Sequence, residues 1–219
     1  MRRRRGDRIR LPRGAAVRAQ DRGGRNRVRA DRSARVARAA ATDVDRDPSL
    51  LRTVEGAMPY TPILATLGYV LSPDRRKVLL VHRNARADDA HLGKYNGLGG
   101  KLEPLEDVVS GMRREIAEEA GIECLDLRLR GTLSWPGFGK HGEDWFGFVF
   151  LIDNHRGTPP ASNTEGTLEW IDIERIGDLP LWEGDRQFLP LVFDADPRPF
   201  HGVMPYRDGR MVSWSFSRV

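Results

Sequence analysis

The chain has a single cysteine, Cys124, among 219 residues. An internal disulfide is therefore excluded, a reducing compartment fits, and a lone thiol reads first as a small buried residue rather than a nucleophile. No apolar run approaches the roughly 20 residues that a membrane-crossing helix needs, so a soluble, cytoplasmic protein without a membrane partner is expected. The first 57 residues lack still more. They contain no Lys, no Cys and no aromatic residue, but 17 Arg against 7 acids. Such a segment buries too little apolar surface to offset the entropy of ordering, and residues 1–57 are predicted to be a disordered, Arg-rich extension. They also lack the apolar core of a secretory signal. The scattered Asp7, Asp21, Asp31, Asp43, Asp45 and Asp47 argue against an organellar transit peptide. Two readings remain open for the extension: an arm that grips nucleic acid through its phosphates, or upstream sequence that is not natively translated. In the second case Met58, the second methionine, is the start. The expected folded domain is 58–219, which carries a formal charge of −5 within a chain of +5.

The richest stretch of that domain runs from Gly100 to Ile122. Glu115, Glu118 and Glu119 stand at i, i+3 and i+4, which gathers three carboxylates on one helical face. Like charges at this spacing repel, and a hard cation such as Mg²⁺ or Mn²⁺ is the natural occupant of clustered carboxylate oxygens. The plainer reading is a solvated charged face, since Glu and Arg are good helix formers. Leu105, Val109, Met112 and Ile116 recur at helical spacing and are predicted to form a separate core stripe. Gly121 suits a left-handed helix stop. Gly99 and Gly100 bring no bulk before the helix, so that a backbone carbonyl there can approach a metal.

Gly100, Glu106, Arg114, Glu115, Ile116, Glu118, Glu119, Gly121 and Ile122 fill, in register, every fixed position of the Nudix box, and the chain resembles the Nudix hydrolases. The segment Lys94-Tyr95-Asn96-Gly97-Leu98-Gly99-Gly100-Lys101 is similar to the one before the box in MutT-like oxidised purine nucleoside triphosphatases. Leu181 to Asp185, Phe188 to Leu191, and Phe200-His201-Gly202 follow with agreeing order and spacing. The resemblance implies an α+β fold, an α/β/α sandwich around a mixed β-sheet. It also implies metal-dependent hydrolysis of purine nucleoside triphosphates such as 8-oxo-dGTP to the monophosphate and pyrophosphate.

By the same resemblance Glu115, Glu118, Glu119 and Gly100 hold the metal, with Mg²⁺ expected and Mn²⁺ as an alternative. Arg114 orients a glutamate, with Glu106 beside it. Glu165 is a further metal-proximal or base-like acid. Thr66, Asn96, Trp182 and Asp185 fall where the subfamily binds the base, and Trp135 falls in its aromatic wall. One position departs: mammalian members carry two adjacent acids after their Trp, and here the first is Gly184. Without that neighbour Asp185 loses a like-charge push toward the protonated state, so a narrower range of purines is expected. Rival readings are another Nudix chemistry (nucleotide sugar, dinucleoside polyphosphate or cap), a non-catalytic ligand sensor with a nucleic-acid-binding arm, and an isoprenoid diphosphate isomerase. Monomer and homodimer both stay open.

Elsewhere strands are predicted at 61–71, 77–82, 127–135, 145–153, 169–173 and 211–216 from apolar and β-branched content and alternation. Loops are predicted at 84–94 and 154–166, and a helix over 185–192 despite Pro190. Strands, helix, strands, helix and strand make a mixed layered architecture.

Overall fold

The computed structural model describes residues 59–89 and 91–219; the expectations for residues 1–57 and for Met58 lie outside them. In chain order the elements are β1 (Ile63–Leu71), β2 (Lys77–His82), β3 (Tyr95–Asn96), α1 (Val108–Ala120), β4 (Glu123–Trp135) and β5 (Trp145–Arg156). After them come β6 (Thr167–Asp172), a 3₁₀ turn (Ile173–Asp178), α2 (Glu183–Phe193), β7 (Phe200–Val203), β8 (Tyr206–Arg207), β9 (Arg210–Met211) and β10 (Ser215–Arg218). One eight-stranded sheet runs β10-β7-β4-β5-β1-β2-β3, with β6 on β2. It is mixed: β1 lies parallel to β5 and β4 parallel to β7, while β4 with β5 and β2 with β6 are antiparallel.

Successive strand residues point to opposite faces, and here both faces are covered. Val70, Leu79, Val81, Phe150 and Ile152 pack under Met112, Ile116 and Ala120 of α1. Their neighbours Tyr69, Leu71, Val78, Leu80, Val149 and Leu151 pack under Phe188, Leu189 and Val192 of α2. Near-continuous apolar runs such as Val78 to Val81 are what a strand between two helical layers requires. The result is the expected α/β/α sandwich.

Helix α1 starts where Asp107 accepts hydrogen bonds from the amides of Val109 at 2.8 Å and Ser110 at 3.1 Å, which satisfies two of the donors a helix start leaves open. It stops at Gly121, whose φ of 62° is left-handed. Met112 and Ile116 are fully buried, each worth roughly 1.5–3 kcal/mol. The expected core stripe is corrected at its other two members. Leu105 precedes the helix, has a left-handed φ of 73°, and is fully exposed, and Val109 is 36% exposed. The helix begins about one turn later than the stripe assumed, which leaves Leu105 outside it, and Val109 lies in the first turn, where it is only partly covered.

Helix α2 runs through Pro190 as expected, and the carbonyls at its C-terminal end are held from outside. Arg130, 2% exposed, donates to the carbonyls of Val192, Asp196, Leu191 and Asp194, and Arg218 donates to those of Leu191 and Asp196. Strands β4 and β5 outrun their predicted bounds for one shared reason. The polar ends Glu123 to Asp126 and Asn154 to Arg156 pair with each other, so ladder hydrogen bonds extend what side-chain pattern alone ends. The single strand expected at 211–216 is instead two. β9 closes a hairpin with β8 over Asp208-Gly209, and β10 joins β7, a strand not expected from the sequence. No helix among the described residues is long and apolar enough to cross a membrane.

Candidate functional site

Arg114 is the hub of the box. Its Nη2 donates to Glu106 Oε1 at 2.7 Å and to the Lys101 carbonyl at 3.1 Å, and its Nε to Glu106 Oε2 at 3.1 Å. Its Nη1 donates to Glu115 Oε1 at 2.9 Å and Glu118 Oε2 at 3.3 Å. The bidentate grip lowers the Glu106 carboxyl below its ordinary range and raises the arginine further still. Arg114 therefore ties the loop before α1 to the acids on it.

The three acids differ in environment. Glu118 is exposed. Burial pushes the Glu115 carboxyl up, with Arg114 opposing. Glu119 is pushed up to about 8, by burial first and then by the neighbouring charges of Glu165 and Glu115, although it accepts a 2.9 Å hydrogen bond from the Gly99 amide. The carbonyl of Gly100 already accepts from the Thr66 amide at 2.8 Å, which leaves one lone pair. Among the described residues no three acidic, histidine or cysteine side chains close around a single point. The donor set nonetheless fits a divalent cation. It consists of hard carboxylate oxygens on one helix face, two of them partly buried and one, on Glu118, exposed, and such oxygens are what a hard cation takes.

A groove of about 440 Å³ runs along Glu115, Glu118 and Glu119 to Asn163, Thr164 and Glu165. Asn163 fixes its far wall. Its Oδ1 accepts from the amides of Glu165 at 2.8 Å and Gly166 at 3.1 Å, and its Nδ2 donates to the Glu119 carbonyl at 3.2 Å. Glu165 is thereby brought from a distant loop to the box, as expected, and it accepts a hydrogen bond from Arg83 Nη1. Arg83 Nε also donates to Asp89 at 2.7 Å.

Glu165 also lines a second cavity, of about 370 Å³, on the other side of Gly99 and Gly100. All five residues expected at the base meet here: Thr66 from β1, Asn96 from β3, Trp135 from the end of β4, and Trp182 and Asp185 from the start of α2. Three buried side-chain polar atoms among the described residues have no hydrogen-bond partner, namely Thr66 Oγ1, Asn96 Oδ1 and Trp145 Nε1. All three residues line this one cavity. Orphaned buried polar atoms are costly, and their gathering in one hollow marks a surface made to meet a polar ligand. Trp135, Phe138 and Trp145 form an aromatic wall with successive ring separations of 6.1 and 6.4 Å. Trp182, which also lines the cavity, is fixed by its Nε1 donating to His91 Nδ1 at 2.9 Å and by Lys94 over its ring at 5.4 Å. Burial raises Asp185 to about 7 against the pull of Lys94. The proton that a second acid was expected to favour is thus favoured by desolvation instead.

Arg83, His91, Phe138, Trp145, Asn163 and Tyr206 were not singled out from the sequence. Each reaches the site through a long-range contact, and only Trp145, opposite Trp135 in the β4–β5 ladder, left a signal in the aromatic content of its strand.

Comparison with known proteins agrees with this geometry. The model of the NUDIX domain matches residues 62–192. A mouse protein named oxidized purine nucleoside triphosphate hydrolase is 31% identical over 160 residues, which cover 73% of this chain and 97% of that one. A zebrafish protein of the same name is 32% identical over 133 residues, covering 61% and 81%. Among solved structures, the MutT protein of Bacillus halodurans is similar with a TM-score of 0.60 and 26% identity, over 70% of this chain and 97% of that one. With the box intact on α1, both sheet faces covered by helices and a polar-lined cavity beside the acids, the chain belongs to the Nudix family and is a Nudix hydrolase.

Proposed function

We propose that the chain hydrolyses purine nucleoside triphosphates, oxidised purines such as 8-oxo-dGTP foremost, to nucleoside monophosphate and pyrophosphate. Such an activity would cleanse the nucleotide pool. The observation that carries this reading is the convergence of three orphaned polar atoms, an aromatic lining and the buried carboxyl of Asp185 in one cavity beside the box. A flat aromatic base would stack on the aromatic lining that Trp135, Phe138, Trp145 and Trp182 give this cavity. Its edge then meets Thr66, Asn96 and Asp185. Oxidation at C8 converts purine N7 from acceptor to N–H donor and adds a carbonyl, a change of hydrogen-bonding edge with little change of shape. A site of buried polar atoms discriminates such a change far better than an apolar slot. The names of the mouse and zebrafish relatives support the same reading.

With the base there, the phosphates extend past Gly99 and Gly100 toward Glu115, Glu118 and Glu119. A divalent cation, Mg²⁺ or Mn²⁺, held by these acids and the Gly100 carbonyl would neutralise phosphate charge and acidify a bound water. Arg114 holds Glu115 in place, and Arg83 and Asn163 hold Glu165, a candidate base, at the junction of groove and cavity. A panel of normal and oxidised nucleoside triphosphates, assayed for pyrophosphate and orthophosphate with and without EDTA, tests the reading. Turnover of a nucleotide sugar or dinucleoside polyphosphate in preference to every triphosphate would overturn it.

A further inference from the structure

Tyr206 lines the base cavity beside Asp185, and its hydroxyl is poorly satisfied. It donates only to the thioether of Met204, at 3.4 Å, and sulfur is a weak acceptor. The ring is fixed: it packs edge-on against Phe138 at 5.1 Å, and its amide donates to the Pro136 carbonyl at 2.7 Å. A β-carbon at Gly184 would lie 2.5 Å from the Tyr206 hydroxyl oxygen and 2.4 Å from the Met204 sulfur. The phenol therefore sits directly over Gly184, one residue before Asp185, and occupies the space that any side chain there would need. Desolvation first, and then the Asp185 charge, raises the phenol to about 12, so it stays a donor throughout the working pH range.

We propose that the Tyr206 hydroxyl is a further specificity-determining group, donating a hydrogen bond to a carbonyl oxygen of the bound purine while Asp185 takes the adjacent N–H. Together they read a lactam edge, an N–H next to a C=O. Oxidised guanine carries two such edges, N1–H with C6=O and N7–H with C8=O, and adenine carries neither. This assignment rests on the purine nucleotide reading above. In it Gly184 is the partner of Tyr206: the glycine makes the room that the phenol fills.

The test pairs loss of the hydroxyl with loss of the carbonyl. Binding of 8-oxo-dGMP, of dGMP and of the 2-aminopurine deoxynucleoside monophosphate, which lacks the C6 carbonyl, is measured calorimetrically on the full chain and on Tyr206→Phe. Phe keeps the ring and its packing. A loss of about tenfold for both guanine nucleotides but not for 2-aminopurine places the hydroxyl on C6=O, and the same loss for 8-oxo-dGMP alone places it on C8=O. Met204→Leu, which removes the thioether and keeps the hydroxyl, should retain wild-type affinity. Unchanged binding by Tyr206→Phe, equal loss on all three ligands, or equal loss in both variants would overturn the proposal. Failure of the wild-type chain to bind any of the three would instead overturn the purine nucleotide reading beneath it.

Discussion

A β-carbon added to Gly100 would lie 2.5 Å from Oε1 of Glu115, so the first residue of the box and its first helical acid are fitted to each other without slack. Gly100→Ala should push the Glu115 carboxylate off Arg114 while leaving the sheet untouched. Turnover is expected to drop by about tenfold or more, in line with the cost of misplacing a reacting group, with an unchanged circular dichroism spectrum. Gly99 is different in kind. Its φ of 140° and a virtual β-carbon 2.2 Å from the Thr66 carbonyl oxygen leave no room in the backbone itself. Gly99→Ala should therefore cost more than about 2 kcal/mol of stability in urea unfolding.

Glu118 is exposed and held only by Arg114 at 3.3 Å, so it has little to contribute to folding. If Glu118 holds the metal as proposed, Glu118→Gln should lower turnover at least about a hundredfold by putting a neutral amide in place of a charged ligand, and the melting temperature should not move. Near-normal turnover in saturating Mg²⁺ would remove Glu118 from the metal.

Asp185 gives a pH signature. Its carboxyl is raised to about 7 by burial, so between the ordinary carboxylate range and about 7 the folded chain keeps a proton that the unfolded chain has released. The stability owed to this residue is accordingly present at low pH and lost as pH rises through that window. Asp185→Asn, which is always neutral, should melt higher than wild type at pH 8 and lose that advantage near pH 4. The ratio of kcat/KM for two purine triphosphates should inflect near pH 7 in the wild type and run flat in the variant. An inflection that persists in Asp185→Asn belongs to another group.

Asn96 and Asp185 also separate a recognition role from a structural one. Asn96→Ala and Asp185→Asn should each reduce kcat/KM for the oxidised guanine triphosphate by more than about tenfold, the cost of one buried polar contact. Hydrolysis of a poor, unoxidised nucleotide should fall less. Equal losses on every nucleotide would make both residues structural.

Much of this was legible from residues near one another in sequence. The box, its Asp107-to-Gly121 helix and the apolar runs of β1, β2 and β5 follow from local spacing, and both helical layers follow from the runs. Where local pattern failed, a distant partner had decided. Asn154 to Arg156 read as loop until paired with Glu123 to Asp126, and Leu105 read as core because heptad spacing ignores where a cap begins. Arg130, which alternation in its strand does not mark as buried, is taken in because the end of α2 offers it carbonyls. Tyr206 carries no local mark of its place over Gly184.

The parallel pairing of β1 with β5 bears on how the molecule comes into being. Gly99 packs against Thr66 of β1, but Trp145 and the hairpin to Trp135 arrive only with β5, and Arg83 meets Glu165 across 82 residues of chain. Loops of that length close late, and sheets built on such pairings fold slowly. A nascent chain that has finished the box helix thus presents its acids well before it owns a cavity. Substrate binding, which exists only in the closed sheet, would then accelerate nothing in folding and act wholly by slowing unfolding.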